Sequence, residues 1–306
     1  MANIIYEGVD ITGSVILKHC EHDMYAGERA DSLYMIADDT AHLWDKWAPV
    51  AGDLIQVVSG AARTGAMYVT ECSPRNGSYA IRAASTPPSL HVPRTKAWAE
   101  VRLSQIGAEI AARHGLAFTS YDVPDRLYGY RMQDHISDIT FFNRMAVLEG
   151  CAVVVFDGTL ILYGEAEREA AGTVEMVNLA DALAYTYRDM RGRLYSSCTI
   201  ECGTHKGTYT VSGGSGMALQ PPAWVQAQST EECARYARNL LRRANKMARR
   251  GTVWTNALPG YAAASMIDIR TPAAPSWDGP VFLHAVRNDY YADKTKLFFR
   301  KPLEGY

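Results

Sequence analysis

TGAMYVTECSPRNGSYAIRAAS, residues 64–85, reads as a hairpin: a strand from Ala66 to Cys72, a turn over Pro74-Arg75-Asn76-Gly77 and a return strand from Ser78 to Ala84. DGPVFLHAVRNDYYADKTKLFFRK, residues 278–301, has the same plan: a polar residue and a glycine, then β-branched and aromatic residues, a polar turn and a return strand. The likeness extends upstream. Pro49 and small residues precede Leu54-Ile55-Gln56-Val57, and Pro259-Gly260 and small residues precede Met266-Ile267-Asp268-Ile269. Hairpins are common in any β protein, so the shared order of these four features, not the hairpins alone, carries the reading of an internal duplication. It predicts two related small β-barrel domains around a mixed middle, an α+β chain that is mainly β, divided as 1–90, 91–171 and 172–306.

In the first of these regions, 9–20 and 32–37 read as short strands around a polar loop, HDMYAGERAD. Three prolines in STPPSLHVPRT (85–95) end the segment. In the middle, apolar spacing through Trp98, Val101, Ile106 and Ile110 predicts a helix over 97–114, stopped by Gly115. Residues 124–133 read as irregular. A second helix is predicted over 138–149, with Ser137 or Asp138 as N-cap and Gly150 as its stop. CAVVVFDGTLILYG (151–164) is a hairpin marked by Asp157-Gly158.

From Gly172 the pattern is β again. Leu194, Cys198, Ile200 and Cys202 alternate onto one strand face, and VSGGSGMALQPPAW (211–224) is a loop. Ser229, with Glu232 three residues on, opens a helix predicted to run to about Arg249.

The chain has 306 residues, a formal net charge of −2 and 21% charged residues, which gives no global attraction to nucleic acid or an acidic membrane. No uninterrupted apolar run approaches a membrane span. The first twenty residues, with Glu7 and Asp10 and no basic cluster, do not read as a secretory signal. Six cysteines are too few for a disulfide scaffold, so reduced thiols in a cytosolically made protein are expected.

Candidate chemistry is sparse. Cys198, Cys202 and His205 could suggest zinc, but on one strand two thiols four residues apart stand about 13 Å apart at about 3.3 Å per residue, too far to share an ion. Packed core cysteines are the better reading, and no metal or cofactor is expected. There is no G-x-S-x-G elbow, H-E-x-x-H helix or papain-like cysteine context. Asp38-Asp39 and Asp122 with Asp125 read as turn acids, and His284 as a core or interface residue. The glycine-rich loop lacks the spacing of a phosphate cradle.

The 229–250 helix is the most polarised segment. Arg235, Arg238, Arg242, Arg243, Lys246, Arg249 and Arg250 oppose an apolar stripe of Ala234, Ala237, Leu240, Leu241, Ala244 and Met247. Three readings stand: a solvated face whose late cations suit the helix dipole, a docking face for an acidic protein, and nucleic-acid contact. The third is disfavoured because no stacking aromatics are interleaved, so no sequence-specific nucleic-acid partner is expected.

Taken in order, these features resemble the late control protein D family, the baseplate hubs of contractile phage tails, similar to the base of the type VI secretion spike. The resemblance runs through Pro49, Gly52, Asp53, Ile55 and Val57; Thr64 to Val69; IAARHGL (110–116); Gln133, Ser137, Asp138, Phe141 or Phe142, Arg144, Ala146 and Gly150; the basic helix opening at Ser229; and the second Asp-Gly hairpin. It covers nearly the whole chain, and its loose motifs persuade by their order. It implies a non-enzymatic homotrimer in which two barrels per subunit make a ring of six, joining a sixfold tail tube to a threefold spike. The implied partners are tail tube, spike, tape-measure and other baseplate proteins, in a particle baseplate assembled in the bacterial host cytoplasm. Gly65, Gly77 and Gly279 would then be structural hairpin positions, and Arg235, Arg238, Arg242, Arg243, Lys246 and Arg249 a partner-contact face. The competing reading is a carbohydrate- or envelope-binding β protein with weak hydrolase activity, its eighteen tyrosines lining ligand sites.

Overall fold

Along Ser32–Asp38, Leu33, Met35 and Ala37 are buried and the residues between them are half-buried, the period-2 signature of a strand with one face on a core. Repeated along the chain, this pattern makes the protein mainly β. The computed structural model describes the backbone of residues 2–214, 216–271 and 274–306, and all of their side chains except that of Asp181.

The N-terminal part contains β1 (Leu17–Tyr25), β2 (Ser32–Asp38), β3 (Leu54–Ser59), β4 (Met67–Arg75) and β5 (Ser78–Ala84). Two expectations are corrected here. The segment read as a loop from His22 is strand as far as Tyr25, because β1 has partners on both sides. β4 continues through Pro74 to Arg75, so the turn is only Asn76-Gly77. Pro74 is tolerated because that end of β4 is paired on one side alone.

The middle comprises β6 (Pro93–Arg102), α1 (Leu103–Arg113), β7 (Ala117–Tyr121), β8 (Leu127–Ser137), α2 (Asp138–Leu148), β9 (Cys151–Phe156), β10 (Thr159–Gly164) and α3 (Glu165–Ala170). The helix expected from residue 97 starts at Leu103; residues 97–102 belong to β6. Residues 127–133, expected to be irregular, belong to β8. Both differences have one cause, since β6 and β8 pair antiparallel with each other along most of their length. That partnership is non-local and overrides local spacing. α2 lies where expected, and the Ser137 hydroxyl accepts from the Thr140 amide. The Asp157-Gly158 turn between β9 and β10 has φ of 47° and 72°, as a type I′ hairpin requires.

The C-terminal part holds β11 (Ala184–Asp189), β12 (Ser197–Cys202), β13 (His205–Thr210), α4 (Thr230–Asn245), β14 (Arg249–Thr255), β15 (Met266–Arg270), β16 (Gly279–Asp289) and β17 (Lys294–Arg300). The basic helix therefore ends at Asn245, and Arg249 and Arg250 lie on β14, a correction to the expected boundary. Of the 211–224 loop, Ser215 lies outside the described residues, as do Pro272 and Ala273 in the approach to β16.

The duplication is visible in the pairing. Within the first copy the sheet runs β1-β2-β5-β4-β3, and within the second β11-β14-β17-β16-β15, with every neighbour antiparallel. Ile55 pairs with Met67, two residues after Gly65, and Ile267 pairs with Val281, two after Gly279. A register shift falls at Thr70 in β4 and at His284 in β16, each five residues after that glycine. The polar residue before each glycine ties off the preceding strand: Thr64 Oγ1 accepts from the Val57 amide at 3.0 Å, and Asp278 Oδ1 from the Thr271 amide at 2.7 Å.

Two separate barrels do not form. β16 of the second copy pairs with β1 of the first, which fuses both copies into one sheet of fourteen strands, and among the described residues no ladder closes into a barrel. Each copy keeps its own apolar core, the middle a third, and the β12–β13–α4 insertion a fourth.

Candidate interaction surface

The seam between the copies runs from Ala285↔Tyr25 to Asp289↔Glu21. Asp23 and Arg287 face each other across it in a bidentate ion pair at 2.6 and 2.8 Å, with Glu21 3.4 Å from the same guanidinium. Beside it His22 and Asn288 are wholly buried, and burial pushes the His22 imidazole down to about 4, so it is neutral at ordinary pH. This joint is made once inside the chain.

Its two halves also occur unmatched. The equivalent of β16 is β4, whose stretch from Glu71 to Arg75 pairs, among the described residues, only with β5. The equivalent of β1 is β11, which among the described residues pairs only with β14. Following the ladders, Arg287 corresponds to Ser73 and Asp23 to Arg188. Exposed apolar groups lie at β11, where Leu183 and Tyr185 are exposed, and beside the start of β4, where Val50 and Leu54 are exposed. Tyr185 is 37% exposed, and its counterpart Cys20 is fully buried at the seam.

The hairpin glycines hold their places for different reasons. Gly65 has φ of 65° and backs onto the Asp157 turn, where an added Cβ would meet the Asp157 Cβ at 2.9 Å and its backbone nitrogen at 3.1 Å. Gly279 has φ of 99°, and an added Cβ would be in ordinary contact with the Lys301 Nζ at 3.9 Å, so only its conformation demands glycine. Gly77, at φ 66°, closes the two-residue turn of the first hairpin.

Arg235, Arg242 and Arg243 of α4, and Lys246 just after it, meet acids of the same chain. Arg235 makes two bonds to Glu149 at 2.9 and 3.1 Å. Arg242, itself buried, reaches Glu165 at 3.2 Å and Glu169 at 2.6 Å. Arg243 and Lys246 converge on Glu28, and Lys246 also holds Glu165 at 3.0 Å. Arg300 of β17 joins the same glutamates. Burial opposes ionisation of Glu28, but the Arg243 and Lys246 bonds outweigh it and hold its carboxyl down to about 2. Glu165 is likewise held below the usual carboxylate range by Lys246, Arg300 and Arg242 against its burial. Arg238 is exposed and donates to the Tyr306 carbonyl at 2.8 Å, and Arg249 stands on β14, 3.6 Å from Asp189. The acids were the part that sequence reasoning missed; Glu165 and Glu169, four apart in EAEREA, were the available signal.

Cys202 and His205 are cross-strand neighbours in the β12–β13 hairpin, and Cys198 is packed in a core, its thiol pushed up to about 11 by burial. Among the described residues no group of His, Cys, Asp and Glu is arranged to hold a metal. Asp38, Asp39 and Asp125 accept turn and helix-start hydrogen bonds, from Thr40, Trp44 and Ser104 respectively. No helix among the described residues is long and apolar enough to cross a membrane.

The architecture matches solved structures closely in shape and weakly in sequence. A tail protein of Neisseria meningitidis superposes with a TM-score of 0.78 at 10% identity, covering 98% of this chain and 95% of that one. The chain shares the fold of that tail protein. The 43 kDa tail protein of the Shewanella oneidensis prophage MuSo2 matches with a TM-score of 0.74 at 12% identity, covering 98% of both chains. An Escherichia coli component of the type VI secretion system, described as structurally similar to T4 tail proteins, matches at 0.62 and 14% identity over 99% of this chain and 78% of that one. No family model and no curated protein matches the sequence.

Proposed function

We propose that the protein is a structural baseplate hub of a contractile phage tail or tail-like injection particle. Three copies form a ring with pseudo-sixfold symmetry that joins a sixfold tube to a threefold spike. The observation that carries this reading is the seam, built once inside the chain and left half-made at both outer edges. If the same joint forms between copies, Glu71–Arg75 of one chain pairs with Thr186–Met190 of the next, Ser73 lies opposite Arg188, and Glu71 sits two residues from that pair on the same face. Pro74 has no N–H to give, so the other residues hold the ladder. Three such joints and three internal seams alternate around a closed ring, and closure leaves none of these edges unpaired.

The role is binding and geometry without catalysis. Tube, spike, tape-measure and other baseplate proteins are the partners of such a hub, and the particle baseplate, assembled in the host cytoplasm, is its place. The phage-tail fold supports the setting, and the duplicated sheet supports the symmetry-adapting role.

Sedimentation velocity over a wide concentration range tests the ring: a species near 101 kDa is expected, three times the 33.7 kDa chain. A Ser73→Cys, Arg188→Cys variant, compared with the parent and its native thiols, is expected to cross-link into dimers and trimers under mild oxidation. A chain that stays monomeric with and without a spike protein, and gives no cross-link beyond the parent, overturns the ring.

A further inference from the structure

Where the two copies meet the middle sheet, the chain leaves a cavity of about 560 Å3. This is within the range of about 300–1,000 Å3 typical of ligand pockets, which favour such junctions between domains. One wall is the outer face of β9 and β10, another the seam beside Met24 and Tyr25, and the rim is formed by the 61–63 turn and the 260–265 segment. Tyr25, Tyr121, Phe156, Tyr163 and Tyr261 line it.

The charges around it are unevenly committed. Arg63 lies over the Phe156 ring, 5.5 Å from its centroid, and 3.8 Å from Asp157; Arg168 donates to the Ala264 carbonyl at 2.7 Å. Both cations therefore have partners. Asp31 is 3% exposed, accepts the Tyr25 amide at 2.8 Å on one oxygen, and is in no ion pair among the described residues. Burial, with Asp23 adding to it against the Tyr25 bond, pushes its carboxyl up to about 7. Asp122, exposed at the rim, is also in no ion pair among the described residues. A buried acid without a counter-ion, beside aromatic rings that favour cations, is the arrangement that takes up an ammonium group.

We propose that this cavity binds an alkylammonium group, with Asp31 taking the charge and the aromatic walls covering the apolar stem. Two sources share that chemistry: a lysine side chain presented by another protein, and a free polyamine. The inference does not rest on the ring and is testable on the isolated chain.

Calorimetric titration of the full chain with 1,5-diaminopentane, pentane-1,5-diol and the capped peptide acetyl-Gly-Lys-Gly-amide tests it. The diamine is expected to bind at least about tenfold more tightly than the diol, a gap of about 1.4 kcal/mol. Asp31→Asn should bring the diamine down to the level of the diol, and Tyr261→Ala should weaken both. Asp122→Asn, at the exposed rim, gives a second reading if Asp31→Asn does not fold, and should weaken the diamine but not the diol. Preference for the peptide assigns a protein lysine as the guest, and preference for the diamine a free polyamine. Equal binding of diamine and diol, no binding of either amine, or diamine binding unchanged in the folded Asp31→Asn variant overturns the proposal.

Discussion

Gly65 and Gly279 occupy the same place in the two copies, yet substitution should affect them unequally. Gly279→Ala meets only the cost of a left-handed backbone, roughly 1–2 kcal/mol. Gly65→Ala adds a clash with the Asp157 turn at 2.9–3.1 Å, so the first hairpin or the middle sheet must shift. Urea unfolding of the two variants should show the larger loss at Gly65; equal losses would mean that the two turns are not packed as described. Asp31 gives a second expectation at this scale. Its folded pKa of about 7 lies above the ordinary 3.8, so its contribution to stability is full below about pH 4 and is lost as pH rises through 7. On the order of 2–4 kcal/mol is at stake. Asp31→Asn should therefore gain stability relative to the parent between pH 5 and pH 8, read by thermal unfolding; a constant difference would contradict the burial of that carboxyl. The residue types were plain in the sequence, but Asp31 read as one loop acid among many, since nothing local marks a carboxyl for burial.

At the scale of elements, α4 shows what local patterning can and cannot say. Its start was legible because a cap is a local device: Ser229 Oγ accepts from the Glu232 amide at 3.1 Å. Its end was not, because Arg249 and Arg250 are drawn into β14 by ladders to β11 and β17. Its charge was legible, but its use was not: the glutamates that meet it come from the β1–β2 loop, the end of α2, and α3. Arg242→Ala should leave Glu165 and Glu169 short of a buried partner and destabilise the fold by about 3–5 kcal/mol. Arg238→Ala, at an exposed bond, should change stability by less than about 1 kcal/mol. Chemical denaturation of the two variants checks the contrast. Similar small losses would mean that the α3–α4 cluster is not needed to hold the insertion against the middle. The β6–β8 ribbon gives the same lesson: Trp98 and Val101 have helical spacing, and only the opposing strand settles their conformation.

For the whole molecule, the expected trimer mass and the Ser73–Arg188 cross-link ask whether a joint formed within one chain is formed again between chains. The sequence by itself determined the shared order of the two hairpins, the helix caps at Ser137 and Ser229, and the Asp157-Gly158 hairpin. Each is written in residues that are neighbours along the chain, where alternation, capping and glycine conformations act locally. Only the tertiary structure decided that the two copies share one open sheet, that Arg235, Arg242, Arg243 and Lys246 meet acids of the same chain, and that Asp31 lines a cavity. Those outcomes depend on which distant strands pair and which distant acids meet the cations. Non-local pairing energies of that kind leave no periodic trace in the segments they join.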